Sequence, residues 1–143
     1  MVRSDNSYKK IAAGILLIIC ILIIIVLKWI RPGPLQYYAT TFKYSWNPFV
    51  GWDTLIFHRN SYLADIAVMV PVGILMRYLV KNRILYLFIG ACICFVFETA
   101  QSLLKAGVSD LLSIICMYIG FIVGYICFIT VCYFLKLTGK EQK

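Results

Sequence analysis

From Ile11 to Leu27 the chain is continuously apolar, without one charged residue. A segment of that kind has few stable homes. Its backbone amides must bond within the segment, which only a helix allows, and roughly 20 apolar residues in helical form cross a bilayer core. The run is not followed by the small-x-small site of a cleaved leader; a bulky "KWIRPGPLQYY" comes next. Three further apolar segments follow with only isolated polar residues, so this is no local accident. The 143 residues are 62% hydrophobic and 14% charged, whereas a soluble domain carries about 25% charged residues.

The expected fold is therefore all-α: a single domain over residues 1–143 forming an integral membrane bundle of four transmembrane helices. The first span is expected near 10–30, ended by "RPGP" at 31–34, because proline lacks the amide a helix needs. The second runs from about 61 to 80, the third from about 84 to 104, and the fourth from about 109 to 135. Ser109 is placed to cap the fourth, with Asp110 in its first turn beside the positive helix end.

Between the first two spans lies a long loop rich in aromatics, including Tyr37, Tyr38, Phe42, Tyr44, Trp46, Phe49, Trp52 and Phe57. Such side chains favour the membrane–water boundary. The loop is expected to lie flat on the bilayer, as an anchor or as a lid over the bundle mouth; both readings stand.

The formal net charge of +8 does not point to nucleic acid, since the basic residues flank the apolar runs instead of gathering on a motif. They read as topology signals and contacts to anionic lipid. With both termini cytoplasmic, the inner side receives Arg3, Lys9, Lys10, Arg77, Lys81, Arg83, Lys136, Lys140 and Lys143, nine of the fourteen basic residues. The aromatic loop and the 105–108 turn then face outward. The six cysteines all sit inside apolar runs without a CxxC pair and read as small hydrophobes. His58 alone cannot build a histidine metal site.

Of the six acidic residues, three stand in or beside spans: Asp65, Glu98 and Asp110. Asp65 opens a span that begins outside, Glu98 nears the end of one that finishes outside, and Asp110 opens the next. All three are expected at one end of the bundle. Gln101 and Lys105 follow Glu98 at helical spacing and make one polar stripe. Glu98 lies about 9 Å below Leu104 at helical rise, where a carboxylate needs a partner, water or a proton. Each residue also has a structural reading: caps for Asp65 and Asp110, an interhelical hydrogen-bond pair for Glu98 with Gln101. Pro71 and Gly73 are expected to kink the second span or widen a pocket below Asp65, or simply to pack. Gly120 and Gly124 have the small-xxx-small spacing of close helix contact, most simply within the chain, and Gly90 offers another close approach.

These residues also carry a resemblance to VanZ-like membrane proteins of Gram-positive bacteria. "NPF" at Asn47, Pro48 and Phe49 is similar to that family's Asn-x-x-Pro-Phe segment, shortened. "DIAVMVPVG" at 65–73 resembles its Asn-x-x-x-Phe-x-Pro-x-Gly, with Asp65 in the asparagine place and Met69 in the phenylalanine place. "ETAQ" matches its Glu-x-x-Gln through Glu98 and Gln101. "GVSDLLSIICMYIG" at 107–120 is similar to an arginine followed by Phe-Asp-Ile-Asp-Asp and Asn-Thr-x-Gly. Asp110 and Gly120 agree, whereas Gly107, Ser113 and Met117 replace the arginine, the last aspartate and the asparagine. The similarity covers about residues 45–130. It implies a multi-pass cell-membrane protein of the envelope, associated with reduced teicoplanin susceptibility.

Three functions remain open. In the first, Asp65, Glu98, Gln101 and Asp110 line an outer-facing polar pocket that binds a membrane lipid, a lipid-linked wall precursor or a lipoglycopeptide tail. In the second, Glu98, Asp110 and Asp65 are the catalytic candidates of an intramembrane enzyme, dividing acid and base roles or holding a divalent cation. In the third, the chain is a structural subunit of a membrane complex with a protein partner. No Walker glycine loop, GxSxG or HExxH motif occurs, and no cofactor is expected.

Overall fold

The computed structural model describes residues 5–27, 44–45, 59–104 and 109–138. Four helices dominate: α1 (Asp5–Ile25), α2 (Arg59–Leu79), α3 (Arg83–Leu103) and α4 (Leu111–Thr138). Each contains a stretch long and apolar enough to cross a membrane, namely Ser7–Ile25, Tyr62–Leu79, Arg83–Gln101 and Leu111–Leu137. Among the described residues the strands are a two-residue parallel bridge, β1 (Tyr44–Ser45) with β2 (Ser109–Asp110), pairing Tyr44 with Ser109 and Ser45 with Asp110. It ties a piece of the first loop to the chain just ahead of α4. Asn47, Pro48 and Phe49, and with them the expected interfacial loop, otherwise lie outside the described residues.

Two boundaries differ from expectation. α1 begins at Asp5, about a turn before the apolar run, because Ser7, Tyr8, Lys9 and Lys10 continue the helix without a breaker. α4 begins at Leu111, so Asp110 is not in its first turn; Ser109 and Asp110 give their backbone to the bridge instead.

The α2–α3 turn shows how side chains set the helix ends. The Arg77 guanidinium donates from Nη1 to the carbonyls of Val80 at 2.8 Å and Lys81 at 2.6 Å, satisfying acceptors left over where α2 stops. One residue later Asn82 Oδ1 accepts from the amides of Ile84 at 2.9 Å and Leu85 at 3.3 Å, an N-cap for α3. The Arg77 guanidinium also lies 5.2 Å from the centre of the Tyr125 ring on α4.

Between lipid-embedded helices apolar burial supplies little drive, so close packing must hold them. α2 and α4 run parallel and touch at backbone distance. A Cβ on Gly120 would strike the Ile66 carbonyl, one on Gly124 the Val70 carbonyl, and one on Gly73 the Phe121 carbonyl. Gly73 thus closes the α2–α4 seam rather than widening a pocket, and α2 runs through Pro71 as continuous helix. α3 locks onto this pair through Tyr86. Its fully buried ring stacks on Phe121 with centroids 4.4 Å apart, and its hydroxyl donates to the Phe121 carbonyl at 2.9 Å. Gly90, one turn on, leaves room for the Phe121 ring. Around these lie Met69, Val72, Cys94, Phe97 and Met117, with Leu17 and Ile24 from α1. The outward faces carry Ile15, Leu22, Phe88, Val96, Val131 and Phe134 exposed, as lipid-facing surfaces do.

The glycine seam predicts a clean contrast. Gly120→Ala should destabilise the purified protein by about 1–3 kcal/mol, the usual cost of overpacking against atoms that cannot yield. Gly14→Ala, where a Cβ meets nothing within 4 Å, should leave stability unchanged or raise it by up to about 1 kcal/mol, alanine being the better helix former. Equilibrium unfolding in mixed micelles measures both, and equal effects would refute the seam.

Candidate functional site

Each helix around the core carries a buried stripe at helical spacing. On α2 it runs Asp65, Met69, Val72 and Gly73; on α3, Tyr86, Gly90, Cys94 and Glu98; on α4, Ser113, Met117, Gly120 and Gly124. All three stripes have their polar member at the same end of the bundle. There Ser113 Oγ lies 2.5 Å from Asp65 Oδ2 and 3.2 Å from Glu98 Oε2. The three residues are 6%, 7% and 2% exposed respectively. Two carboxyl groups, far apart in sequence, therefore meet on one hydroxyl.

The chemistry of that contact is constrained by hydrogen count. A serine hydroxyl has one hydrogen and two lone pairs. The shorter contact takes the single hydrogen, so Ser113 donates to Asp65 and turns a lone pair toward Glu98. The Glu98 contact is a hydrogen bond only when that carboxyl carries its own proton or when the hydroxyl swings across. The group is thus a relay in which one hydrogen is positioned between two acids. Each of the three residues also has a further interaction, and the helix ends nearby are the N-termini of α2 and α4, whose amides favour negative charge.

The other expected site residues fall into place unevenly. Gln101 is half-buried one turn beyond Glu98; Glu98 makes an interhelical contact, to Ser113, whereas Gln101 Oε1 is buried with no hydrogen-bond partner among the described residues. Thr99 Oγ1 is buried and unpartnered as well, and nothing in the structure explains it. The Asp110 backbone sits in the β1–β2 bridge, one turn ahead of Ser113; its side chain is outside the described ones. Among the described residues no group of three or more His, Cys, Asp or Glu side chains is disposed to hold a metal ion. Two open grooves are found, one between α1, α2 and α4 and one on the outer face of α1, and neither is lined by Asp65, Glu98, Gln101 or Ser113. The acids are enclosed by helix packing.

Ser113 was not singled out by the sequence as a site residue. It appeared only as a loss, a hydroxyl where the family motif has an acid. The signal that identifies it is its register: it heads the stripe that Met117, Gly120 and Gly124 continue.

The family model described as VanZ/LLP1 matches residues 14–134. The chain belongs to the VanZ/LLP1 family. It is a VanZ-like membrane protein, and the match takes in α1 from Gly14 onward and all of Asp65, Glu98, Gln101, Asp110 and Ser113. No curated protein and no solved structure matches the chain.

Removing the hydroxyl should be felt at once. Ser113→Ala takes from the buried Asp65 carboxyl one of its hydrogen-bond partners, so a loss of about 1–3 kcal/mol is expected. Asp65→Asn should cost less in the Ser113→Ala background than in the native chain, because the two residues share one interaction. Additive losses in micelle unfolding would mean that the contact carries no energy.

Proposed function

We propose that this VanZ-like protein is a non-enzymatic component of the cell envelope. In this reading it engages the polar head of an amphiphile, a lipid-linked wall precursor or a lipoglycopeptide with its acyl tail, at the end of the bundle where the acids lie. That engagement lowers susceptibility to teicoplanin. The observation that carries the reading is the Asp65–Ser113–Glu98 contact. Buried ionisable groups inside membrane helices are costly and are kept mainly where they do something. Here they stand toward one end of the helices, enclosed by packing on the side that this reading turns to the head groups, while the exposed apolar flanks accommodate the tail. Carboxyl groups and a hydroxyl favour a head that presents N–H or O–H donors. An anionic phosphate alone suits them poorly.

The distribution of charge supports an outward-facing acid end. Among described side chains, Lys9, Lys10, Arg77, Lys81, Arg83 and Lys136 all belong to the opposite end, and Asp65 and Glu98 to this one. Basic residues concentrate on the cytoplasmic side of membrane proteins, which favours the reading with both termini inside. The β1–β2 bridge brings part of the first loop next to Asp110, where a loop would cover a bound head group.

Susceptibility to teicoplanin in an isogenic host tests the reading. Cells with the intact chain should tolerate a measurably higher concentration than cells without it. Glu98→Gln, at matched membrane levels, should return the host to its unprotected value. Protection unaffected by Glu98→Gln would exclude the acid site, and no protection from the intact chain would exclude the resistance role. Photo-crosslinking of a lipid-linked precursor analogue, lost when Asp65→Asn and Glu98→Gln are combined, distinguishes precursor binding from drug binding.

A further inference from the structure

The end of the bundle remote from the acids carries a second feature. α1, α2 and α4 leave an open groove of about 410 Å³ between them. It exists because Ala12 and Ala13 on α1 stop at Cβ, while the turns around them bear Ile and Leu. Leu16 closes one end of the groove; Tyr78 and Phe128, packed edge to face with centroids 6.4 Å apart, belong to its other side. Lys9 is the one charged residue in its lining. From Lys9 to Leu16 the groove follows two turns of α1, about 10 Å of axis.

Long, apolar, open to lipid and charged at one end, the groove has the shape of an amphiphile. We propose that it binds one acyl chain of an anionic phospholipid, with Lys9 donating to the phosphate. The choice of an anionic head rests on charge: Lys9, Lys10, Arg77, Lys81, Arg83 and Lys136 belong to this end, while the described acidic side chains, Asp65 and Glu98, are at the other. Lys9 already has an interaction of its own, but an ammonium group has three donors and accommodates a phosphate oxygen as well. A lysine at a helix end can lay its stem along an apolar wall and put its head at the interface, and Lys9 lines the groove near the start of α1. This site is separate from the acid cluster and does not depend on the function proposed for it.

Native mass spectrometry of the full chain tests it, with the protein purified and offered equal amounts of phosphatidylglycerol and phosphatidylcholine bearing identical acyl chains. The native chain should retain phosphatidylglycerol about fivefold over phosphatidylcholine, the effect of about one basic residue at a membrane surface. Lys9→Gln should bring the ratio close to one, and Lys9→Arg should keep it. Ala12→Leu, at an exposed position, should fill the groove and reduce retention of both lipids. Equal retention of the two lipids by the native chain would overturn the proposal. So would a preference indifferent to Lys9→Gln, or retention indifferent to Ala12→Leu. A dimer that appears on delipidation and is abolished by Ala12→Leu would assign the groove to a second copy of the chain and would equally overturn it.

Discussion

The seam between α2 and α4 is the constraint on which everything else rests. Where Gly73, Gly120 and Gly124 allow one helix to lie against the carbonyls of the other, there is no slack in the register. Fixing Gly120 against Ile66 also fixes where Ser113, two turns earlier on the same face, meets Asp65, the neighbour of Ile66. A larger side chain anywhere along that face would separate the helices and with them the hydroxyl and the carboxylate. Dispersion contacts are individually weak but many, and in lipid they replace the apolar burial that organises soluble proteins. The positioning of the acid pair is thus an outcome of glycine packing, not of any attraction between the acids.

α3 completes the arrangement from the side. Tyr86 anchors it by stacking on Phe121 and donating to that residue's carbonyl, and three turns later the same stripe delivers Glu98. A buried aromatic hydroxyl needs a partner, and Tyr86 finds it on the very residue whose ring it covers. The helix is therefore held in rotation as well as in depth, so Glu98 faces Ser113 and not lipid. At the opposite end, the caps formed by Arg77 and Asn82 hold α2 and α3 in a tight turn. One end of the bundle is organised by basic residues with backbone carbonyls, the other by acids sharing a hydroxyl.

Much of this was legible in the residues. The charge-free run from Ile11 to Leu27 and three others like it fixed the class of fold, because a bilayer offers the backbone so few alternatives. The placement of Asp65 and Glu98 at one end followed from alternating span directions. The glycine spacing foretold a close contact within the chain. What sequence could not supply was rotation about each helix axis, which decides which residue of another helix Glu98 meets. Spacing puts Glu98 and Gln101 on one stripe, and the stack of Tyr86 on Phe121 turns that stripe so that Glu98 reaches Ser113 on α4. The start of α4 was misjudged for a related reason. Ser109 and Asp110 are good capping residues, but their backbone pairs with Tyr44 and Ser45, a long-range partner that no local signal reveals.

Ser113 gives the departure from the family motif a physical meaning. An aspartate in that place would bring a third carboxyl to a spot where Asp65 and Glu98 already converge, and three such groups in a low-dielectric site demand a bound cation or extra protons. A serine asks for neither. Its hydroxyl donates to Asp65 and lies within hydrogen-bond distance of Glu98, so that it stands between the two buried carboxyl groups. The exchange of acid for hydroxyl therefore leaves one carboxyl fewer beside Asp65 and Glu98 than the family motif would place there, and the two that remain are joined through Ser113.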